Sequence, residues 1–189
     1  MKYVVLLGAL LLSSPALAHT GHGDTSGLLA GLMHPVFGLD HLLAMVAVGL
    51  WSGLALPKHP WAGAAAFVGS MLLGACLSFA GVPLPAVETL ILASVVVFGA
   101  LVFMARPDMP AIFSLVALVV IGLFALGHGH AHASEAEGGA VAYVAGFVLA
   151  TSLLHLAGIG MARGVARNLV LQRVLGGAIA ASGLLLALA

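Results

Sequence analysis

Leu28-Leu-Ala-Gly-Leu-Met-His34-Pro35-Val-Phe-Gly38-Leu-Asp40-His41-Leu-Leu-Ala-Met-Val-Ala-Val-Gly49-Leu-Trp51-Ser-Gly-Leu-Ala-Leu56 carries no Lys or Arg, and its only ionisable groups are two imidazoles and one carboxylate near its head. An apolar run of this length is what a membrane-spanning helix needs. An ionisable side chain within a span costs about 3 kcal/mol on insertion scales, so three of them so close together point to function. His41 lies seven positions after His34, about 700° of helical rotation, so a continuous helix would place both rings on one face. His34, Asp40 and His41 are therefore candidate metal ligands.

The rest of the composition agrees with a membrane protein. Of 189 residues, 62% are hydrophobic and 6% charged, and the mean hydropathy is +1.22, which excludes a soluble globular domain. The fold expected is all-α, a polytopic bundle embedded in the lipid bilayer. Six Lys+Arg balance six Asp+Glu, so no basic surface is available for nucleic acid. The chain has no Gly-x-x-x-x-Gly-Lys-[Ser/Thr] loop with which to hydrolyse a nucleotide, and no tightly bound cofactor is expected. The single cysteine, Cys76, lies in an apolar run and reads as a small buried hydrophobe rather than a ligand.

Lys2, the apolar run Tyr3 to Leu12 and Ala16-Leu17-Ala18 form a three-part secretory leader, with cleavage expected after Ala18. Residues 1–18 are thus read as a signal peptide and 19–189 as one transmembrane domain. Six apolar segments follow: Leu28 to Leu56, Trp61 to Ala80, Leu84 to Ala105, Pro110 to Leu126, Ala140 to Met161 and Leu169 to Ala189. The breaks between them carry Pro, Gly and charge, as in Pro57-Lys58-His59-Pro60 and Arg106-Pro107-Asp108. Six transmembrane helices are expected. Glycines within the spans, Gly31, Gly38, Gly49, Gly53, Gly63, Gly69 and Gly74 among them, are read as helix packing positions. No internal repeat can be aligned.

A cleaved leader leaves the mature amino terminus outside, in the periplasm of a bacterial inner membrane. Six spans then put Lys58, Arg106, Arg163 and Arg167 on the cytoplasmic side, as the positive-inside rule requires. Counting back from those anchors, His41 lies 17 residues before Lys58, Glu88 lies 18 before Arg106, and His128 lies 20 beyond Asp108. At the helical rise these groups stand roughly 25, 27 and 30 Å above the inner face. Three helices therefore bring ionisable groups to one depth, near the outer boundary.

Glu88 opens its span with no Lys or Arg in the outer loops to neutralise it, so a cation is one expected partner; the other reading is a carboxylate that complements the helix macrodipole. Gly127-His128-Gly129-His130-Ala131-His132-Ala133-Ser134-Glu135 is dense in imidazole, which suits nickel, copper and zinc better than magnesium or calcium. If this run is helical, His128 and His132 stand at i and i+4, and His132 and Glu135 at i and i+3; a solvated loop is the alternative. His19 and His22 at the mature terminus are read either as a metal-capture site or as a plain terminal segment. His155, 8 residues before Arg163, lies near the middle of the membrane, where it is either a relay ligand or half of an interhelical hydrogen bond. His59 is read as a loop residue.

With the leader, the His34 to Asp40-His41 pattern, Glu88 and the run ending in Glu135 all in place, the chain resembles the HupE/UreJ family of nickel transporters over nearly its whole length. The resemblance implies a small secondary permease of the bacterial cytoplasmic membrane, importing nickel and in some members cobalt for hydrogenase or urease maturation. Metallochaperones of those pathways are then implied partners, and a homo-oligomer is left open. On the residues, the resemblance matches His34, Asp40 and His41 to a first-helix motif, Glu88 to an acidic position, and His128, His132 and Glu135 to a second motif. Ala133 stands where a glycine would be expected, which leaves open which of His128, His130 and His132 ligates. The residues alone reach a divalent transition-metal site facing the periplasm. Read that way, rivals from other classes stay open: an intramembrane zinc-dependent hydrolase, a haem-binding cytochrome, and a metal receptor that does not transport.

Overall fold

The computed structural model describes residues 24–134, 136 and 139–188. The leader, His19, His22 and Glu135 lie outside the described residues. Among those described there are seven helices and no strand: α1 (Asp24–Phe37), α2 (Leu39–Ala55), α3 (Ala62–Phe79), α4 (Val87–Met104), α5 (Ala111–Ser134), α6 (Ala140–Val165) and α7 (Leu169–Leu188). The last five are each long and apolar enough to cross a membrane, and α1 with α2 forms a sixth, bent unit. This is an all-α, multi-pass membrane protein.

The first segment is not one continuous helix. α1 and α2 meet at an angle of 77°. Pro35, inside α1, has no N–H to give to the preceding turn, and Gly38 follows in an extended conformation, φ −77° and ψ 106°. A Cβ at Gly38 would stand 3.0 Å from the His41 ring and 3.1 Å from the Asp40 carboxylate, so glycine leaves room for those two side chains to fold back over the break. The histidine-rich run also differs from the loop reading, because α5 continues through it to Ser134.

Helix α2 is the central element, with buried residues from His41 to Ala55. It packs against α6, α4, α3 and α1. The most extensive pairings are α3 with α5, α4 with α7, and α2 with α6. Exchanging α2 with α5, α3 with α6 and α4 with α7 maps these three pairings onto themselves, the pattern of a three-plus-three inverted arrangement, although no repeat is legible in the sequence.

Glycine sets how closely these helices approach. A Cβ at Gly74 of α3 would strike the Leu126 carbonyl of α5, and one at Gly129 of α5 would strike the Met71 carbonyl of α3. Gly49 and Gly158 make the same reciprocal contact between α2 and α6. Without water between helices, such van der Waals contact supplies much of the association. Gly69 is an exception to the packing reading, since nothing lies within 4 Å of where its Cβ would be. Cys76 departs from expectation too: it is exposed on the outer surface of α3 rather than buried, and in a bilayer that surface is equally apolar.

The end of the bundle that carries Lys58, Arg106, Arg163 and Arg167 is closed by polar caps. Ser52 Oγ accepts the Gly63 N–H at 3.0 Å, satisfying the start of α3. Gln172 of α7 donates to the carbonyls of Val102 and Ala105 at 2.9 and 2.8 Å, satisfying the end of α4. Arg173 lies 5.7 Å over the Phe103 ring beside it. The ionisable groups singled out in the sequence lie mainly at the opposite end.

Candidate metal centre

Three imidazoles from three helices meet where α1 and α2 bend. His34 comes from the last turn of α1, His41 from the first turn of α2 and His132 from the last turn of α5. Each offers a ring nitrogen, and the three atoms lie within 4.8 Å of one another. Imidazole nitrogens bind a first-row dication at about 2.1 Å, so two on one ion stand at most about 4.2 Å apart. The three nitrogens therefore stand at most a little wider than a bound ion would hold them. Its ring centroids are 5.3 Å apart for His34 and His41, and 4.5 Å for His132 with each of the others.

Hydrogen bonds decide which nitrogen of His41 is offered. Asp40 Oδ1 lies 2.6 Å from His41 Nδ1, and a carboxylate can only accept, so Nδ1 carries the proton and Nε2 keeps its lone pair. That Nε2 is buried with no hydrogen-bond partner among the described residues. The arrangement is the carboxylate–histidine pairing that orients metal-binding imidazoles and raises their basicity. Asp40 thus reaches the cage through His41. Phe147 of α6 backs the cage, its ring 4.0 Å from that of His132, and Tyr143 stands 6.4 Å from His34. Both are buried, so α6 walls one side of the cage.

His128 lies one turn deeper on α5, fully buried, its ring 5.1 Å from that of His41. Ser94 of α4 gives its single proton to the Ile91 carbonyl at 2.6 Å and sits 3.0 Å from His128 Nε2. With that hydroxyl proton spent, His128 Nε2 must be the donor, and Nδ1 is left with a lone pair and no described partner. His130 points elsewhere: its Nε2 donates to the Val82 carbonyl at 2.7 Å, tying α5 to the α3–α4 loop. Glu88 is exposed in the first turn of α4 and is not in the group brought together. His155 is fully buried near the middle of α6, its Nδ1 donating to the Thr151 carbonyl at 2.7 Å. His59 lies exposed in the α2–α3 loop.

Of the residues singled out in the sequence, the structure brings His34, His41, His132 and His128 together; Ser94, Tyr143 and Phe147, which pack beside them, were not singled out. Of these, only Ser94 carried a signal, a polar residue inside an apolar span. A cage of three imidazoles, two of them buried and one half-buried, can hold a borderline dication such as nickel, copper or zinc.

The family model described as HupE / UreJ protein matches residues 7–186 of the chain. Protein HupE of Rhizobium leguminosarum bv. viciae is 46% identical over 188 residues, covering 96% of this chain and 95% of the relative. No solved structure matches.

Proposed function

The chain belongs to the HupE/UreJ family, and from that premise we propose that it is a secondary permease importing nickel(II), with cobalt(II) as a second cargo, from the periplasm to the cytoplasm across the bacterial inner membrane. The observation that carries the reading is the convergence of His34, His41 and His132 within 4.8 Å at one end of a membrane bundle. His34, His41 and His132 are the first ligands, His128 receives the ion next, and Asp40 holds His41 in its ligating tautomer. Nickel is cargo, not a resident cofactor, and the protein is not an enzyme.

Charge asymmetry supports inward capture. Glu88 and Asp40 lie at the cage end, whereas Lys58, Arg106, Arg163 and Arg167 all lie at the other. A dication is drawn to the first end, and the positive-inside rule assigns the second to the cytoplasm. The leader is cleaved after Ala18, and His19, His22 and Glu135 add donors on the periplasmic side. Moving two charges inward through 100 mV gains about 4.6 kcal/mol, so the membrane potential suffices as the driving force. Metallochaperones of hydrogenase or urease maturation would receive the ion. The hydrolase alternative needs a group free to activate water, and Asp40, the described carboxylate beside the cage, is engaged by His41.

The test is proteoliposomes containing only this protein, with an imposed potassium–valinomycin potential and a fluorescent chelator inside. Potential-dependent nickel influx is expected, and His41→Ala should abolish it. Influx indifferent to the potential, or equal in the variant, would refute the proposal.

A further inference from the structure

Beyond the cage, two more lone pairs are buried in the bundle with no described partner: His128 Nδ1 and His155 Nε2. His155 is restricted to that nitrogen because the Thr151 carbonyl, at 2.7 Å, can only accept and so takes the Nδ1 proton. One turn earlier on the same face of α6, Thr151 Oγ1 is buried and also lacks a described partner. Leaving three such groups unsatisfied in an apolar interior is costly unless something periodically engages them.

Both imidazoles pack against one ring. Phe67 of α3 is fully buried, its centroid 5.3 Å from that of His128 and 5.0 Å from that of His155. Contacts thus run without a gap from His41 to His128 to Phe67 to His155. His155 lies 15 residues from the start of α6 and 10 from its end, roughly 22 and 15 Å along the helix, so this line leads from one end to mid-bundle.

We propose that His155 Nε2 and Thr151 Oγ1 form a second, inner metal station, and that the Phe67 ring is the door between it and His128. The inference rests on the permease reading above. The ion leaves the cage for His128 Nδ1 and waits against the face of Phe67, whose ring quadrupole tolerates a partly dehydrated cation. Rotation of Phe67 about its side-chain torsions then lets His155 Nε2 replace His128 as ligand. With the ring in the position seen here, the path from His128 to His155 runs through Phe67, and closing it between steps is how a carrier avoids becoming a pore.

Two measurements on the full chain separate this role from a structural one: nickel(II) binding by equilibrium dialysis in detergent, and nickel(II) flux in proteoliposomes. His155→Ala should keep cage affinity within about threefold while lowering flux at least about tenfold. Phe67→Trp should slow flux by a similar factor, and Phe67→Ala should raise it and admit manganese(II). Should either alanine variant lose its gel-filtration peak, His155→Gln and Phe67→Leu, closer in volume, take its place. Wild-type flux in the His155 variant with binding intact would overturn the inner station, and equal flux in Phe67→Trp and Phe67→Ala would overturn the door. If the unsubstituted protein neither binds nor carries nickel, the permease reading itself fails and the inner station falls with it.

Discussion

Asp40 Oδ1 lies 2.6 Å from the ring Nδ1 of His41 and 2.8 Å from its backbone N–H, so one carboxylate oxygen holds both the side chain and the main chain of the residue that follows. The break at Gly38 makes this possible by starting a new helix there, because the first N–H groups of a helix have no intrahelical partner. Asp40 therefore acts on the ion through the basicity and orientation of Nε2.

A graded response to substitution follows from that relationship. Asp40→Asn keeps an acceptor for Nδ1 but loses the charge, and should weaken nickel affinity by about 10- to 100-fold, the usual cost of a lost outer partner. His41→Ala should abolish cage binding. Equilibrium dialysis distinguishes the two, and equal losses would make Asp40 a direct ligand.

Acid should inhibit. An imidazole must be neutral to ligate, so a proton competes with nickel; binding is present above the ligand pKa and lost as pH falls through it. The expected result is a rate that falls as the pH is lowered from neutral into the acid range. Initial nickel flux in proteoliposomes at constant potential checks this, and a flat rate across that range would contradict it.

Glu88→Gln should reduce uptake mainly at scarce nickel. Its carboxylate is exposed at the cage end and is not in the cage itself, so its effect is to concentrate cations near the mouth, an effect screened by salt. The expected signature is a raised half-saturation concentration with maximal flux retained. A collapse at saturating nickel would place Glu88 among the ligands.

Gly129→Val and Gly74→Val should cost well over about 1 kcal/mol each, since the new side chain meets a backbone carbonyl that cannot move aside. Gly69→Ala, with open space around it, should leave stability unchanged. Thermal unfolding of the detergent-purified proteins provides the comparison. A silent Gly129→Val would mean that α3 and α5 pack less closely than described.

The spans were legible because twenty apolar residues have few other uses, and His34, His41, His128 and His132 because ionisable groups are rare there. The orientation of a given residue was not legible. Lipid and protein interior are both apolar, so nothing in the run from Ala62 to Phe79 says that Phe67 faces inward and Cys76 outward. Pro35 and Gly38 announced a weak point in the first span, but its 77° angle depends on what packs against both arms. Phe147 and Tyr143 look like any aromatic residues until α6 is laid beside α1.

Helix α6 acts as a splint for that bend. It runs unbroken from Ala140 to Val165; near one end Gly146 abuts the Leu28 carbonyl of α1, and farther along Gly158 abuts the Val46 carbonyl of α2. The elbow is thus specified twice, once at Gly38 and once by the twelve-position spacing of Gly146 and Gly158. A single residue inserted between those glycines would turn one contact by about 100° relative to the other. The cage should consequently be more vulnerable to a change in the length of α6, which contributes none of its three imidazoles, than to most substitutions nearer the histidines.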